Sequence, residues 1–181
     1  MRKALLAAML FLVAIPAVSQ AQLVPWERVS FVVGAGMGVP LRAEEFATYQ
    51  PAFYKVLNVE AEVFNNVSVY TTYDRAIFDP GAGSGLGQVD VTTWGGGLLL
   101  FARLNQTGSV RAGAKVGASS NIIEGSDMEW TGQSGLFVDI DVHAQAAVRF
   151  ACDARTYSNS QRIESILPQV CLKLTPGKPT L

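Results

Sequence analysis

His143 is the one histidine of the chain. Ser134 and Asp141 lie close to it in sequence, so a hydroxyl, an imidazole and a carboxylate are present, the residue types of acyl transfer. The serine has no frame for that chemistry, because no Gly-x-Ser-x-Gly turn occurs. The expectation is therefore no catalytic residue, with His143 at a strand end. Gly34, Gly36 and Gly38 superficially resemble a phosphate loop, but the following helix and the correct spacing are missing. Asp79, Asp127 and Glu129 are placed in loops, and their spacing matches no calcium loop. No metal and no cofactor are expected.

The stronger chemistry lies in alternation. Leu136, Val138, Ile140 and Val142 interleave with Phe137, Asp139, Asp141 and His143. Val148, Phe150, Cys152 and Ala154 interleave with Arg149, Asp153 and Arg155 in the same way. A period of two puts the two sets on opposite faces of a strand. The polar faces of the chain collect Glu60, Glu62, Asp139, Asp141 and Asp153 against Arg111, Lys115, Arg149 and Arg155. Those five acids and four bases are nearly balanced, as a charge network packed inside a narrow barrel must be, since buried ions need partners. Val59, Ala61, Val63, Leu136, Val138, Ile140, Val142, Val148, Phe150, Val170 and Leu172 then form the opposite, lipid-facing surface.

Eight strand-length segments carry this pattern. They span about Val29 to Val39, Phe53 to Phe64, Val67 to Ile77, Val89 to Ala102, Val110 to Ala118, Leu136 to His143, Ala147 to Tyr157 and Ile163 to Leu174. Asn65-Asn66 and Asn105 to Gly108 read as tight turns, and Ala144 to Ala146 as a third with weaker turn chemistry. Arg42 to Pro51, Asp79 to Gln88 and Ser119 to Ser134 read as long loops. Short turns at one end and longer loops at the other are the arrangement of a transmembrane barrel. Pro168 is expected at a bulge or rim because it has no N–H for the ladder. Trp26, Trp94, Trp130, Tyr73, Tyr157 and Phe101 are candidates for aromatic girdles at strand ends. Cys152 falls on the apolar parity and Cys171 on the polar one, so two unpaired thiols are expected.

The chain has 181 residues and a formal charge of −1. Arg2 and Lys3, the apolar run Ala4 to Val18 and the small residues of Ser19-Gln20-Ala21 read as an export signal over residues 1–21. No lipobox cysteine follows. A barrel domain over 22–174 and a tail over 175–181 remain. No basic excess suggests nucleic acid. Beyond the signal no apolar stretch is long enough for a membrane helix, so a membrane-embedded chain must be a closed barrel.

Val33-Gly34-Ala35-Gly36-Met37-Gly38-Val39-Pro40, the paired hairpins and the ending Ile166-Leu167-Pro168-Gln169-Val170-Cys171-Leu172-Lys173-Leu174 carry a resemblance. Over essentially the whole chain after the signal, it resembles the small outer-membrane β-barrel proteins of Gram-negative bacteria, the OmpA/OmpX-like group. The resemblance implies an all-β, eight-stranded, antiparallel up-and-down transmembrane barrel, monomeric in outer-membrane lipid. Its surface role would be structural, adhesive or protective, with an envelope or extracellular partner reached through the loops. Members commonly end on an aromatic residue, whereas this chain continues past Leu174 as a short tail. Two other readings stay open. One is a soluble periplasmic lipocalin-like barrel holding a lipid or small ligand. The other is a membrane-barrel enzyme acting on lipid through His143.

Overall fold

The computed structural model describes residues 24–40, 50–80, 88–123, 129–157 and 163–179. The expected export signal and Asp127 lie outside the described residues, as does most of the two loops expected at 42–51 and 79–88. A single 3₁₀ turn, Trp26–Arg28, leads into β1 (Val29–Pro40). There follow β2 (Ala52–Phe64), β3 (Val67–Phe78), β4 (Val89–Arg103), β5 (Val110–Ile123), β6 (Glu129–His143), β7 (Ala146–Tyr157) and β8 (Ile163–Leu174). Each strand pairs antiparallel with the next and β8 returns to β1, closing the barrel. Closure leaves no free sheet edge.

Turn chemistry sets the hairpins. Asn66 takes φ 68° between β2 and β3, and Gly108 takes φ 68° between β4 and β5, a region that Asn and Gly enter most readily. The β6–β7 turn has neither, and closes through Ala144 and Gln145 with a register irregularity between Asp141 and His143. That irregularity leaves His143 exposed rather than inside with Asp141, which corrects the expected parity at the end of β6.

Charged and polar residues point into the barrel and apolar ones point out. Asp139, Arg149 and Asp153 are buried, while Leu136, Ile140 and Phe150 are exposed. Apolar side chains also enter the lumen. Tyr54, Phe78, Val91 and Leu167 belong to one buried cluster in the half next to the long connections. Tyr70, Leu99 and Phe137 form a second, deeper one. The glycines of β5 make room for the latter. A Cβ on Gly113 would stand 2.8 Å from the Phe137 ring, and one on Gly117 would stand 2.7 Å from the Tyr70 hydroxyl. The inward-facing glycines of β5 thus have a steric cause.

Several expectations are corrected. Ser119 to Ser134 is not one long loop. Ser119–Ile123 continue β5, and Glu129, Trp130 and the residues up to Ser134 open β6. Ser119, Asn121, Thr131 and Gln133 look like loop residues because they face a polar lumen, where Ser119 and Asn121 both bond to Thr131. Pro168 sits well inside β8 with no change of register. Its partner on β7 is Cys152, while pairing with β1 skips from Gly36↔Gln169 to Val39↔Ile166 in the same register. The missing N–H therefore costs a stretch of one ladder rather than a bulge. Parity survives, so Cys152 is exposed, Cys171 is buried, and both are free. Phe101 faces the lumen and packs against the Tyr70 cluster, so it is not part of a girdle.

Candidate functional site

The lumen holds the densest chemistry of the molecule, and cross-strand register builds it. Asp139 on β6 pairs with Arg149 on β7, and Arg111 on β5 pairs with Asp139. Glu60 reaches Arg149 from β2, on the far side of the barrel. Arg149 Nε donates to Asp139 Oδ1 at 2.6 Å, its Nη2 donates to Glu60 Oε2 at 3.0 Å, and its Nη1 meets Glu60 Oε1. Lys173 Nζ donates to Glu60 at 2.8 Å and to Asp139 at 3.4 Å. The Arg149 guanidinium also lies 4.4 Å from the Phe137 ring centre, a cation–π contact.

A second knot lies nearer the long connections. Lys115 pairs with Asp153, to which Gln169 Nε2 donates at 3.0 Å. Arg155 donates to Asp74 at 2.6 Å and to the Tyr54 hydroxyl at 3.0 Å. Gln133 Nε2 donates to the Tyr70 hydroxyl at 2.7 Å. The two knots bury Glu60, Asp74, Asp139 and Asp153 with Lys115, Arg149, Arg155 and Lys173, four charges of each sign. Buried ions are tolerated only when paired and hydrogen-bonded, and each of these eight is.

Toward the short-turn end the lumen opens into a polar chamber of about 370 Å³, bordered by Glu60, Glu62, Arg111, Asp141 and Lys173. Arg111 donates to Asp141 at 2.7 Å. The tail crosses this mouth. Lys178 Nζ reaches Asp141 at 3.2 Å, and Gln145 Nε2 donates to the carbonyls of Pro176 and Lys178 at 3.0 and 2.8 Å.

All nine charges singled out from the sequence face the lumen: Glu60, Lys115, Asp139, Arg149, Asp153 and Arg155 are buried, and Glu62, Arg111 and Asp141 are half-buried. The pattern also held Asp74 and Lys173 on polar parities, and both join the knots. Lys178 had no strand parity to announce it. Val59, Leu136, Ile140, Val142, Phe150, Val170 and Leu172 are exposed on the outer wall, and Ala61, Val63, Val138 and Val148 are half-buried there. Tyr73 and Trp94 pack outside at 4.5 Å between ring centres, their rings tilted by 53°. Trp94 is paired with Ser120 and Ser120 with Trp130, which gives a belt of aromatics toward the long-connection end.

The groups considered for catalysis do not meet. His143 Nδ1 accepts the Gln145 backbone N–H at 3.3 Å at the short-turn rim. Ser134 is on the outer wall, whereas Asp141 faces the lumen. Among the described residues no cluster of three or more metal-ligating side chains occurs. Asp79 accepts from Gln88 at 2.7 Å, and Glu129 begins β6.

A closed eight-stranded barrel, charged inside and apolar outside, is the fold of the small outer-membrane β-barrels. Among solved structures, the chain superposes on Neisserial surface protein A with a TM-score of 0.59 at 9% identity, over 81% of this chain and 96% of that one. The outer-membrane protein Ail of Yersinia pestis in a phospholipid nanodisc gives 0.53 at 11%, over 81% and 98%. The Ail crystal structure gives 0.51 at 10%, over 81% and 97%. No family model and no curated protein matches the sequence. At such identities the likeness is one of fold.

Proposed function

We propose that this chain is a bacterial outer-membrane barrel that spans lipid as a monomer with a non-conducting interior, and that its surface role, structural, adhesive or protective, is carried by the long connections. One observation carries the reading. The same strands that bury four acids with four bases present an almost uncharged apolar wall outward. Lipid accepts such a wall, and water does not favour one of this extent. A soluble lipocalin-like carrier needs the opposite arrangement, with the apolar parity lining its cavity. The structural neighbours of outer-membrane origin support the location.

Salt-bridged knots and the fully buried Tyr54, Phe78 and Leu167 obstruct the lumen, which supports a closed interior. We assign no catalytic role to His143, whose ring nitrogen is used in its own turn. The long connections suit an envelope or extracellular partner because loops on a rigid scaffold are free to vary.

Fractionation tests the location: membrane retention until detergent is added, with a heat-modifiable shift on gels, is expected. Release by salt or buffer alone contradicts it. In planar bilayers the purified barrel is expected to give no stable channel steps, and regular steps would overturn the closed interior.

A further inference from the structure

Among the described side chains, the outward-facing positions of the strands carry three formal charges, and all three lie together. Lys55 on β2 is directly opposite Arg75 on β3. Asp90, near the start of β4, accepts from Arg75 Nε at 3.0 Å through both carboxylate oxygens and is also met by its Nη2. The trio keeps a formal excess of one positive charge. Like charges directly opposite across a strand pair repel, and an anion seated between the two relieves that repulsion.

The surroundings define that anion. Lys55 and Arg75 border an outer groove of about 540 Å³ whose other walls include Val33, Leu57, Tyr73 and Ile77. Ala35 is the β1 partner of Lys55, and the backbone of Gly34 lies alongside. One outward step along the strands, two residues or about 7 Å, separates the cation row from the row of Tyr73 and Trp94. Aromatic rows mark the membrane–water interface, so the cations stand at headgroup height with the apolar groove running toward the chains.

We propose that this groove binds a phosphate-bearing membrane lipid, its phosphate between Lys55 and the exposed Arg75 guanidinium and an acyl chain along Val33 and Leu57. Arginine suits phosphate because its planar fork gives paired hydrogen bonds, and lysine adds a mobile point charge. Asp90 opposes binding by engaging Arg75, and it thereby tunes affinity. The inference rests on the membrane reading above.

The test uses the full chain folded into phosphatidylcholine vesicles, with Trp26→Phe and Trp130→Phe leaving Trp94 as the fluorescent reporter. Phosphatidic acid with brominated chains is the probe, and brominated phosphatidylcholine and brominated diacylglycerol are the controls. Phosphatidic acid should quench Trp94 beyond its share of the bilayer, and neither control should. Its apparent affinity should fall about fivefold in Lys55→Gln and in Arg75→Gln, hold in Lys55→Arg, and rise in Asp90→Asn.

Equal quenching by all three lipids in an inserted barrel overturns the lipid site and leaves the membrane reading intact. So does phosphatidic acid affinity unchanged in folded Lys55→Gln and Arg75→Gln, verified by the heat-modifiable shift. Competition by millimolar inorganic phosphate would show a free-anion site and overturn the lipid assignment. A chain that enters no vesicle overturns both.

Discussion

Val138 and Asp139 are neighbours in β6 and meet Phe150 and Arg149, their neighbours in β7, across one ladder. One pair faces out and the other faces in. Val138–Phe150 needs nothing from its surroundings except the absence of water. Asp139–Arg149 depends on Glu60 and Lys173, contributed from other strands. The outer wall is therefore tolerant in identity and strict in polarity. The inner wall is strict in identity, because each ion answers for its partner.

The largest effect should come from breaking an inner knot on one side. Arg149→Met leaves the buried carboxylates of Glu60 and Asp139 with Lys173 and the more distant Arg111, 4.0 Å from Asp139. It is expected to cost about 3–5 kcal/mol, read from urea unfolding in vesicles. Replacing Glu60, Asp139, Arg149 and Lys173 together by apolar residues of similar size should cost less than Arg149→Met alone. Equal costs would mean the network is not coupled.

On the outer wall, Leu136 is 68% exposed near the middle of β6. Leu136→Arg should cost about 2–4 kcal/mol, and Val142→Arg, near the rim, only about 0–1 kcal/mol. A flat profile along the strand would deny that lipid surrounds it.

The thiols sharpen the contrast without a change in stability. A lipid-soluble maleimide should label Cys152 in the folded barrel and leave Cys171 until denaturation, because one faces out and the other lies against Gln169. Labelling of both at similar rates would contradict the parity.

The smallest effect should follow Lys178→Ala. It removes a partly exposed ion pair to Asp141 at the barrel mouth and should change stability by about 0–1 kcal/mol.

Much of this contrast is legible in the sequence. In β2, β3, β6 and β7 the period of two is nearly unbroken over the charged stretches, and it gives those strands and most of the inward charges, with Arg111 and Lys115 added from β5. Legibility fails where the lumen is lined by neutral polar residues. Ser119, Asn121, Thr131 and Gln133 have the composition of a loop, and only the lumen's polarity makes them strand residues. It fails also where a local rule is overruled by neighbours. Pro168 forfeits pairing on one side, yet β7 holds its register on the other. Ion partners across the barrel, such as Glu60 with Arg149, lie 89 residues apart. Parity says that both point inward. Only closure and strand order say that they touch.

On the membrane reading, the two parities of β6 meet different media. A nitroxide carried in turn at residues 134 to 140 of β6, in a Cys152→Ser and Cys171→Ser background within vesicles, measures this directly through collisions with oxygen and with a water-soluble nickel chelate. High oxygen and low nickel accessibility are expected at Leu136→Cys, Val138→Cys and Ile140→Cys, and low accessibility to both at Phe137→Cys and Asp139→Cys. High nickel accessibility at the outward positions, with oxygen no greater there than inside, would contradict that reading.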